Sequence, residues 1–507
     1  MSNNSCRLSS VIFFALLLSA CTRGGLLTTV GPDYNSPSLP VDVRWQAAQP
    51  TAHQGDPAVL SRWWDNFHDS ALSRFLAAAQ QQSASVANAN ARIQQARANL
   101  AGAEASLLPS LDSSLSSKRS SSSFGGPTFV WTQYQIGLQS SWELDLFGGL
   151  ARREEAALSQ VQSRNASWHD ARVAVAAEVA NAYLAYRYCE IQLQQLKAEA
   201  VSRQESARLA KIAEQNGFRA LADTALANAS ASQGNSSLLA QLGQCERSIK
   251  GLVAMTGLAE TDARKILADG QAAKLPKPAF FKLDSLPARV LRQRPDIAAA
   301  ERDLAEASAN IGVEQAKRFP KLSLSGNITP TLQNINGAAL MLAQTWAIGP
   351  TLSLPLFDAG KRAADVEVAK AQYLAAESSF KSKVRTAVKE VEEALVRLAS
   401  AEQRLPLTRN SASDFQTHFI AAQQLYQAGL GNLIDLEASR RNTLSAETAV
   451  HELEQERVSA WIALYRAAGG GWEADSVENV PQLETGNPQQ FSKPERNGKN
   501  DLKSPTR

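Results

Sequence analysis

Histidine, serine and cysteine are the side chains through which this chain would do chemistry, and their spacing speaks against catalysis. His53, His68, His169, His418 and His451 stand too far apart to share a helix turn or a strand face, whereas a metal site needs ligands at set short spacings. Ser378-Ser379-Phe380-Lys381 matches a Ser-x-x-Lys pattern. It lies inside a long helical pattern, where two polar residues one turn apart are commonplace. No nucleophile elbow or phosphate loop occurs. The sequence predicts no enzyme, no metal and no bound cofactor.

Of four cysteines, Cys6 falls in the first twenty residues. There a single cation, Arg7, precedes the apolar run of residues 11–18 and small residues lead to Cys21, which is the pattern of a secretory signal. That run is too short to span a membrane, which takes ~20 apolar residues. Leu18-Ser19-Ala20-Cys21 resembles the lipobox of bacterial lipoproteins, in which the signal is cut before the cysteine and the new N-terminus is acylated. Thr22 stands where many inner-membrane lipoproteins carry aspartate, so the resemblance implies the outer membrane, with covalent lipid on Cys21.

The elements that must position everything else come in two copies. Leu108-Pro109-Ser110-Leu111 answers Phe319-Pro320-Lys321-Leu322 at a shift of 211 residues. Leu146-Phe147-Gly148-Gly149 answers Leu356-Phe357-Asp358-Ala359 at 210, and Gly217 through Asp223 answers Gly429 through Asp435 at 212. Each copy reads helix, strand, strand, long helix, turn, helix.

Tyr134, Ile136, Leu138, Trp142 and Leu144 alternate with Gln133, Gln135, Gly137, Gln139, Ser141 and Glu143. Period two over about 10 residues, apolar on one side and polar on the other, is the pattern of a lipid-facing barrel strand with a wet interior. Residues 321–328 and 346–354 repeat it. The strand after Pro109 is weaker, with only Leu111 and Leu115 clear, and the serine-rich residues 113–127 are expected to form an outer loop. Transmembrane barrels begin at about eight strands, so four must be pooled with other copies. One face of a soluble sandwich is the competing reading, which gives the long helices no role.

Residues 149–216 and 361–428 are continuous helical patterns, each ~100 Å long at ~1.5 Å per residue. A 4-3 apolar seam runs through Val175, Val179, Ala182, Tyr186, Cys189, Leu193, Leu196 and Ala200. It returns through Ala387, Val391, Ala394, Leu398, Ala401, Leu405, Ala412, Phe415 and Phe419, which specifies side-by-side packing. Pro406 predicts a local kink. Helices over 220–256 and 430–467 cover half of each long helix, and those over 71–107 and 285–319 are expected to stack end to end with them. Cys189 and Cys245 each lie 28 residues from Gly217. They should face each other across an antiparallel hairpin, as a disulfide or as two buried thiols.

Lys and Arg number 52 and Asp and Glu 49, for a net charge of +3, with no dense basic block, so nothing favours nucleic acid. Mean hydropathy is −0.25. The expected organisation is a signal peptide at 1–20, a lipidated extended segment at 21–70, copies at 71–284 and 285–472, and an aperiodic, disordered tail at 473–507.

Gly31-Pro32-Asp33-Tyr34, Trp63-Trp64, Leu291 to Ile297 (Leu-Arg-Gln-Arg-Pro-Asp-Ile) and Leu354 to Gly360 (Leu-Pro-Leu-Phe-Asp-Ala-Gly) together resemble the TolC-like outer-membrane factor family. The likeness is to its lipoprotein branch, which serves resistance-nodulation-division pumps, and covers nearly all of 21–472. It implies a mainly α protein with a membrane β part. In such a homotrimer each chain gives four strands to a 12-stranded β-barrel continued by a periplasmic α-helical barrel. Implied partners are a periplasmic adaptor (membrane fusion) protein and an inner-membrane pump, with outer-membrane lipid around the barrel. The family's tunnel closes at its hairpin tips, here at Gly217 and Gly429. An aspartate six residues beyond each glycine and a tyrosine before the second correspond to Asp223, Asp435 and Tyr426. An acid early in a helix also serves the helix dipole, and that reading stays open. The arginine of one version of that gate is replaced by Gly431, and its second acid by Ala438.

The function expected is a passive exit duct for drugs or other small toxic compounds. The alternatives are a duct for secreted proteins or metal ions, and a non-conducting coiled-coil lipoprotein tether. With three methionines and no histidine-rich segment, metal export has little support in the residues.

Overall fold

A computed structural model describes residues 24–38, 44–47, 60–123, 125–277, 281 and 287–472. The expected signal peptide, Cys21 and the expected tail lie outside the described residues. After a short 3-10 turn (Trp63–Phe67) the chain forms α1 (Ser70–Gln82), α2 (Ala84–Ala105), β1 (Ser110–Ser122), β2 (Phe129–Leu144), α3 (Gly149–Gln215) and α4 (Leu221–Thr256). The short α5 (Glu260–Asp269) and α6 (Pro287–Arg292) lead to α7 (Pro295–Ala316), β3 (Lys321–Ile335), β4 (Met341–Ser353), α8 (Lys361–Gln427) and α9 (Leu433–Ala467).

The strands form one antiparallel sheet in the order β1-β2-β3-β4. The register places Tyr134 opposite Leu332, Leu138 opposite Ile328 and Trp142 opposite Leu324. Leu332, Ile328 and Leu322 in turn face Leu342, Trp346 and Leu352. One face is thus apolar across three strands, and Trp346, Ile348 and Leu352 lie about two-thirds exposed on it. Gln135, Gln139, Ser325 and Asn327 line the other face. Edge strands β1 and β4 each have one neighbour only.

The serine-rich segment is a strand as far as Ser122, not the expected loop from 113. Its rungs on β2 run from Ser110 opposite Ser141 to Ser122 opposite Phe129. Backbone pairing carries it, since most of its side chains are exposed and none needs a core.

The two long helices span 67 residues each, ~100 Å. Both start at a glycine with positive φ, Gly148 at 78° and Gly360 at 87°. In the second seam, Ala387 to Leu405 are buried, but Ala412 and Phe419 only half so, and Phe415 is exposed. Helix α8 continues past Pro406. The two opening helices are each broken, contrary to the continuous 71–107 and 285–319 expected. Ser83 is extended (ψ 124°) between α1 and α2. Arg294 is extended (ψ 121°) because the following Pro295 disfavours helical geometry in its predecessor.

Helix α2 packs on α3, and α7 lies between α3 and α8. Farther along, α4 packs on α3, α9 on α8, and α3 on α9, giving the lateral order α4-α3-α9-α8. The main core sits at mid-length, where Trp63 stacks on Tyr465 (centroids 4.8 Å apart) above Phe75, Tyr183, Leu252 and Trp461. No helix among the described residues is long and apolar enough to cross a membrane.

Candidate gate at the hairpin tips

Both hairpins turn by the same device. At the first tip Phe218 N–H reaches Ala213 O (2.8 Å) and Gly217 N–H reaches Glu214 O (2.8 Å). At the second, Leu430 N–H reaches Leu425 O (2.9 Å) and Gly429 N–H reaches Tyr426 O (3.1 Å). These are Schellman bonds, which require a left-handed residue at C′. Gly217 and Gly429 both supply φ 77°.

The following helices start differently. Asn432 caps α9, its Oδ1 accepting from Asp435 N (2.7 Å) while its Nδ2 donates to Asp435 Oδ2 (2.6 Å). Asp435 is exposed and its carboxylate serves this cap. Helix α4 begins at Ala220 without a side-chain cap. Asp223, half-buried in its first turn, bonds through its own N–H to Ala220 O (3.1 Å).

Tyr426 is buried against Ala207, Ala210, Ala227 and Ala231 of the first hairpin. The Arg219 guanidinium lies 4.3 Å from its ring centroid and donates to Gly431 O (3.5 Å). Arg219, from the first hairpin, thus reaches the second at Gly431. Burial raises the Tyr426 phenol above its ordinary value, Arg219 opposing and Asp223 reinforcing that shift. Its hydroxyl has no partner among the described residues. Tyr426 and Asp223 are thus brought near each other, while Asp435 is held by Asn432.

Behind the tips lies a buried ionic cluster absent from the sequence expectations. Arg203 Nε bonds Glu199 Oε1 (2.8 Å) and Arg203 Nη1 approaches Glu437 Oε2 (3.3 Å). Ser230 Oγ donates to that same Oε2 (2.8 Å), and Arg440 pairs with Glu437. Arg440 Nη2 also donates to Ser202 Oγ (3.2 Å) and Ser206 Oγ (3.1 Å). Burial pulls the Arg440 guanidinium below its ordinary value against the attraction of Glu437.

Farther up the first hairpin, Cys189 and Cys245 are joined, Sγ to Sγ 2.01 Å and Cα to Cα 5.6 Å. Lys381 of the Ser-x-x-Lys match pairs with Glu377 (2.6 Å), and no cluster of potential metal ligands occurs among the described residues.

The motifs that carried the resemblance are brackets. Gly31 (φ 97°) passes so close to Gly312 that a Cβ would lie 2.4 Å from its Cα. Asp33 pairs with Arg152 (2.6 Å). Residues 26, 27 and 30 donate backbone bonds to Asp145, Leu146 and Phe147 at the foot of β2. Arg294 ties Asp296, Glu390 (2.7 Å) and Ala467 O (3.0 Å) into one knot.

The sheet has one apolar and one polar face and stands on paired helices ~100 Å long. The chain belongs to the outer membrane efflux protein family, whose profile matches residues 75–258 and 286–470. Members of that family are channels, not enzymes. They work in tripartite pumps with an adaptor and an inner-membrane transporter, and homotrimers are typical of them. The chain is similar to the solvent efflux pump outer membrane protein SrpC of Pseudomonas putida, 26% identical over 91% of this chain and 97% of that one. It is similar to outer membrane protein OprJ of Pseudomonas aeruginosa, 28% identical over 92% and 96%. The structure resembles the open state of the MtrE outer membrane channel of Neisseria gonorrhoeae, with TM-score 0.77 and 26% identity over 88% of this chain and 99% of that one.

Proposed function

We propose that this protein is the lipid-anchored, passive exit duct of a tripartite pump that expels small toxic compounds, assembled as a homotrimer and gated at its hairpin tips. The observation that carries the reading is the sheet, apolar on one face, polar on the other and unpaired at both edges. Unpaired edges in a membrane leave backbone groups without partners, and closure into a barrel is what satisfies them. Three copies give twelve strands. A non-conducting tether gives the two-faced sheet no use.

Cys21 precedes by only five residues the segment that runs along the foot of β2, so its lipid would enter the leaflet beside the barrel wall. At the far end Phe218, Leu221, Leu430 and Ile434 are exposed, an apolar rim suited to an adaptor. Asp223 and Asp435 would ring the constriction with negative charge, and Tyr426 with Arg219 would hold the second hairpin against the first.

Native mass of the detergent-extracted protein, corrected for bound detergent, is expected to be that of a trimer; a monomer would overturn the barrel. In planar bilayers, Asp223→Ala/Asp435→Ala is expected to raise ion conductance, and unchanged conductance removes the two acids from the gate.

A further inference from the structure

Residues directly opposite each other on neighbouring strands share a face of the sheet, so the register sorts every strand residue onto one side. Leu115 stands opposite Ile136, Tyr134 opposite Leu332, and Ile328 opposite Trp346. The apolar face therefore carries the odd positions of β1 and the even positions of β2, β3 and β4. Among those positions a single residue is charged, Arg119, which lies opposite Thr132. Ser117 and Ser121, two residues to either side, point the same way. Lys118 belongs to the other face, opposite Gln133.

Nothing in the sheet balances Arg119. Between Asp112 and Glu143, and between Lys321 and Asp358, the only charged residues are Lys118 and Arg119. The outer part of the sheet thus offers no carboxylate, whether from this chain or from the edge strand of a neighbouring copy. Arg119 is exposed, and its guanidinium makes no ion pair or hydrogen bond among the described residues. The hydroxyls of Ser117, Ser121 and Thr132 are likewise without side-chain partners among the described residues.

The height of this polar patch matters. Strand β1 leaves the helices at Ser110 and turns back after Ser122, so Arg119 lies toward the end of the sheet remote from the helices. At the foot of the apolar face stands Trp142, and Thr132 is ten residues farther along the same strand. At ~3.4 Å per residue and a tilt of ~40° this rise is ~25 Å, the height of the apolar band of a membrane barrel. Tyr134, Leu332 and Leu342 form the last apolar rung beneath Arg119. A cation at that depth costs little to place, and what it meets there is the headgroup layer. Guanidinium binds phosphate through two parallel hydrogen bonds, and three hydroxyls beside it can donate to the remaining oxygens.

We propose that Arg119, with Ser117, Ser121 and Thr132, is a lipid-phosphate site on the outer wall of the barrel, one per protomer, that seats the phosphorylated headgroup of an outer-leaflet lipid. The depth of the site rests on the barrel reading above. The site also accounts for the serine-rich outer half of β1, whose outward positions stand among headgroups, whereas Leu111 and Leu115 lower on the strand face the acyl chains.

Native mass spectrometry of the full-length protein in detergent, incubated with bis-phosphorylated lipid A, tests this. The protein is expected to retain up to one lipid A per chain, and much less of the same glycolipid stripped of its phosphates. Arg119→Gln should weaken retention roughly tenfold or more, as the loss of a charge-assisted contact implies. Arg119→Lys, which keeps the charge and loses the fork, should fall between. Lys118→Gln, on the other face, should behave as the parent. The site is wrong if Arg119→Gln retains lipid A as well as the parent, if Lys118→Gln loses it equally, or if the phosphate-free glycolipid binds as tightly. Inorganic phosphate that empties the site at a concentration equal to that of lipid A would make it a site for the free anion and overturn the lipid assignment. The same spectra report the oligomer. A trimer that retains no lipid A overturns the site and leaves the barrel standing, whereas a monomer overturns the barrel and the site with it.

Discussion

The two hairpins share a turn and differ in what holds their arms together. In α3–α4 a covalent bond joins Cys189 to Cys245; 212 residues later stand Ala401 and Arg457, and the second hairpin has no such staple. Instead α8 carries Pro406, which cannot donate to the carbonyl of Glu402. The second hairpin in turn supplies Tyr426, Glu437 and Arg440, whose counterparts by the same shift are Glu214, Ala225 and Asn228. One hairpin is thus fixed to itself and the other is fixed to its neighbour. The difference teaches that stiffness is unevenly distributed between the two hairpins. The first hairpin can keep its shape alone, whereas the second depends on side chains reaching across the α3–α9 seam.

Breaking the side-chain attachment should have the largest effect. Glu437→Ala leaves Arg203 and Arg440 facing each other in a buried site, and losing one partner of a buried pair costs about 3–5 kcal/mol. Glu437→Leu/Arg440→Leu removes both charges and should cost less. Denaturant unfolding followed by helical circular dichroism measures both, and an equal cost for the two would refute the ionic account. Next comes the covalent attachment. Cys189→Ser opens a loop whose ends are 56 residues apart in sequence, a change worth about 2–4 kcal/mol. Non-reducing mass spectrometry of the mature protein should show both thiols absent, and two free thiols would erase the contrast between the hairpins.

Smaller changes at the tips should sharpen what the hairpins share. Gly217→Ala and Gly429→Ala each place a side chain at φ 77°, at a cost of about 1–2 kcal/mol. Nothing lies within 4 Å of a Cβ at either position. The two costs should therefore agree, and a clear inequality would mean that one tip is packed against something the other is not.

Much of this was legible because the signals are long or strictly periodic. Two patterns of nearly 70 residues can only be extended helices, and alternation from Gln133 to Leu144 can only be a strand with two unlike faces. The facing of Cys189 and Cys245 followed from equal distances to Gly217. The serine-rich part of β1 was not legible, since its strand state is imposed by β2 and leaves no periodicity of its own. The breaks at Ser83 and Arg294 were missed for different reasons. Pro295 did announce the second, whereas serine inside an alanine-rich run announced little. At the hairpin tips the sequence singled out Asp223, Tyr426 and Asp435 through the family resemblance, but not Arg219, Arg203, Glu437 and Arg440. A charge on a helix reads as solvated until the neighbouring helix and its register are known. The one available signal was Asn181, Tyr188, Gln195 and Ser202, polar at every seventh position.

The smallest change concerns Tyr426, where the second hairpin enters the first. Tyr426→Phe keeps the ring beneath Arg219 and its contact with the alanines of α3 and α4, and removes only the hydroxyl. Among the described residues that hydroxyl is buried and bonds to nothing, and a buried polar group without a partner is a cost that its removal relieves. The variant should therefore be neutral or more stable by up to about 1 kcal/mol, read from the unfolding midpoint of the purified protein. A loss of stability of that size would have the opposite meaning. The hydroxyl would then be bonded by a neighbouring copy of the chain in the proposed trimer, a directional contact at the tip.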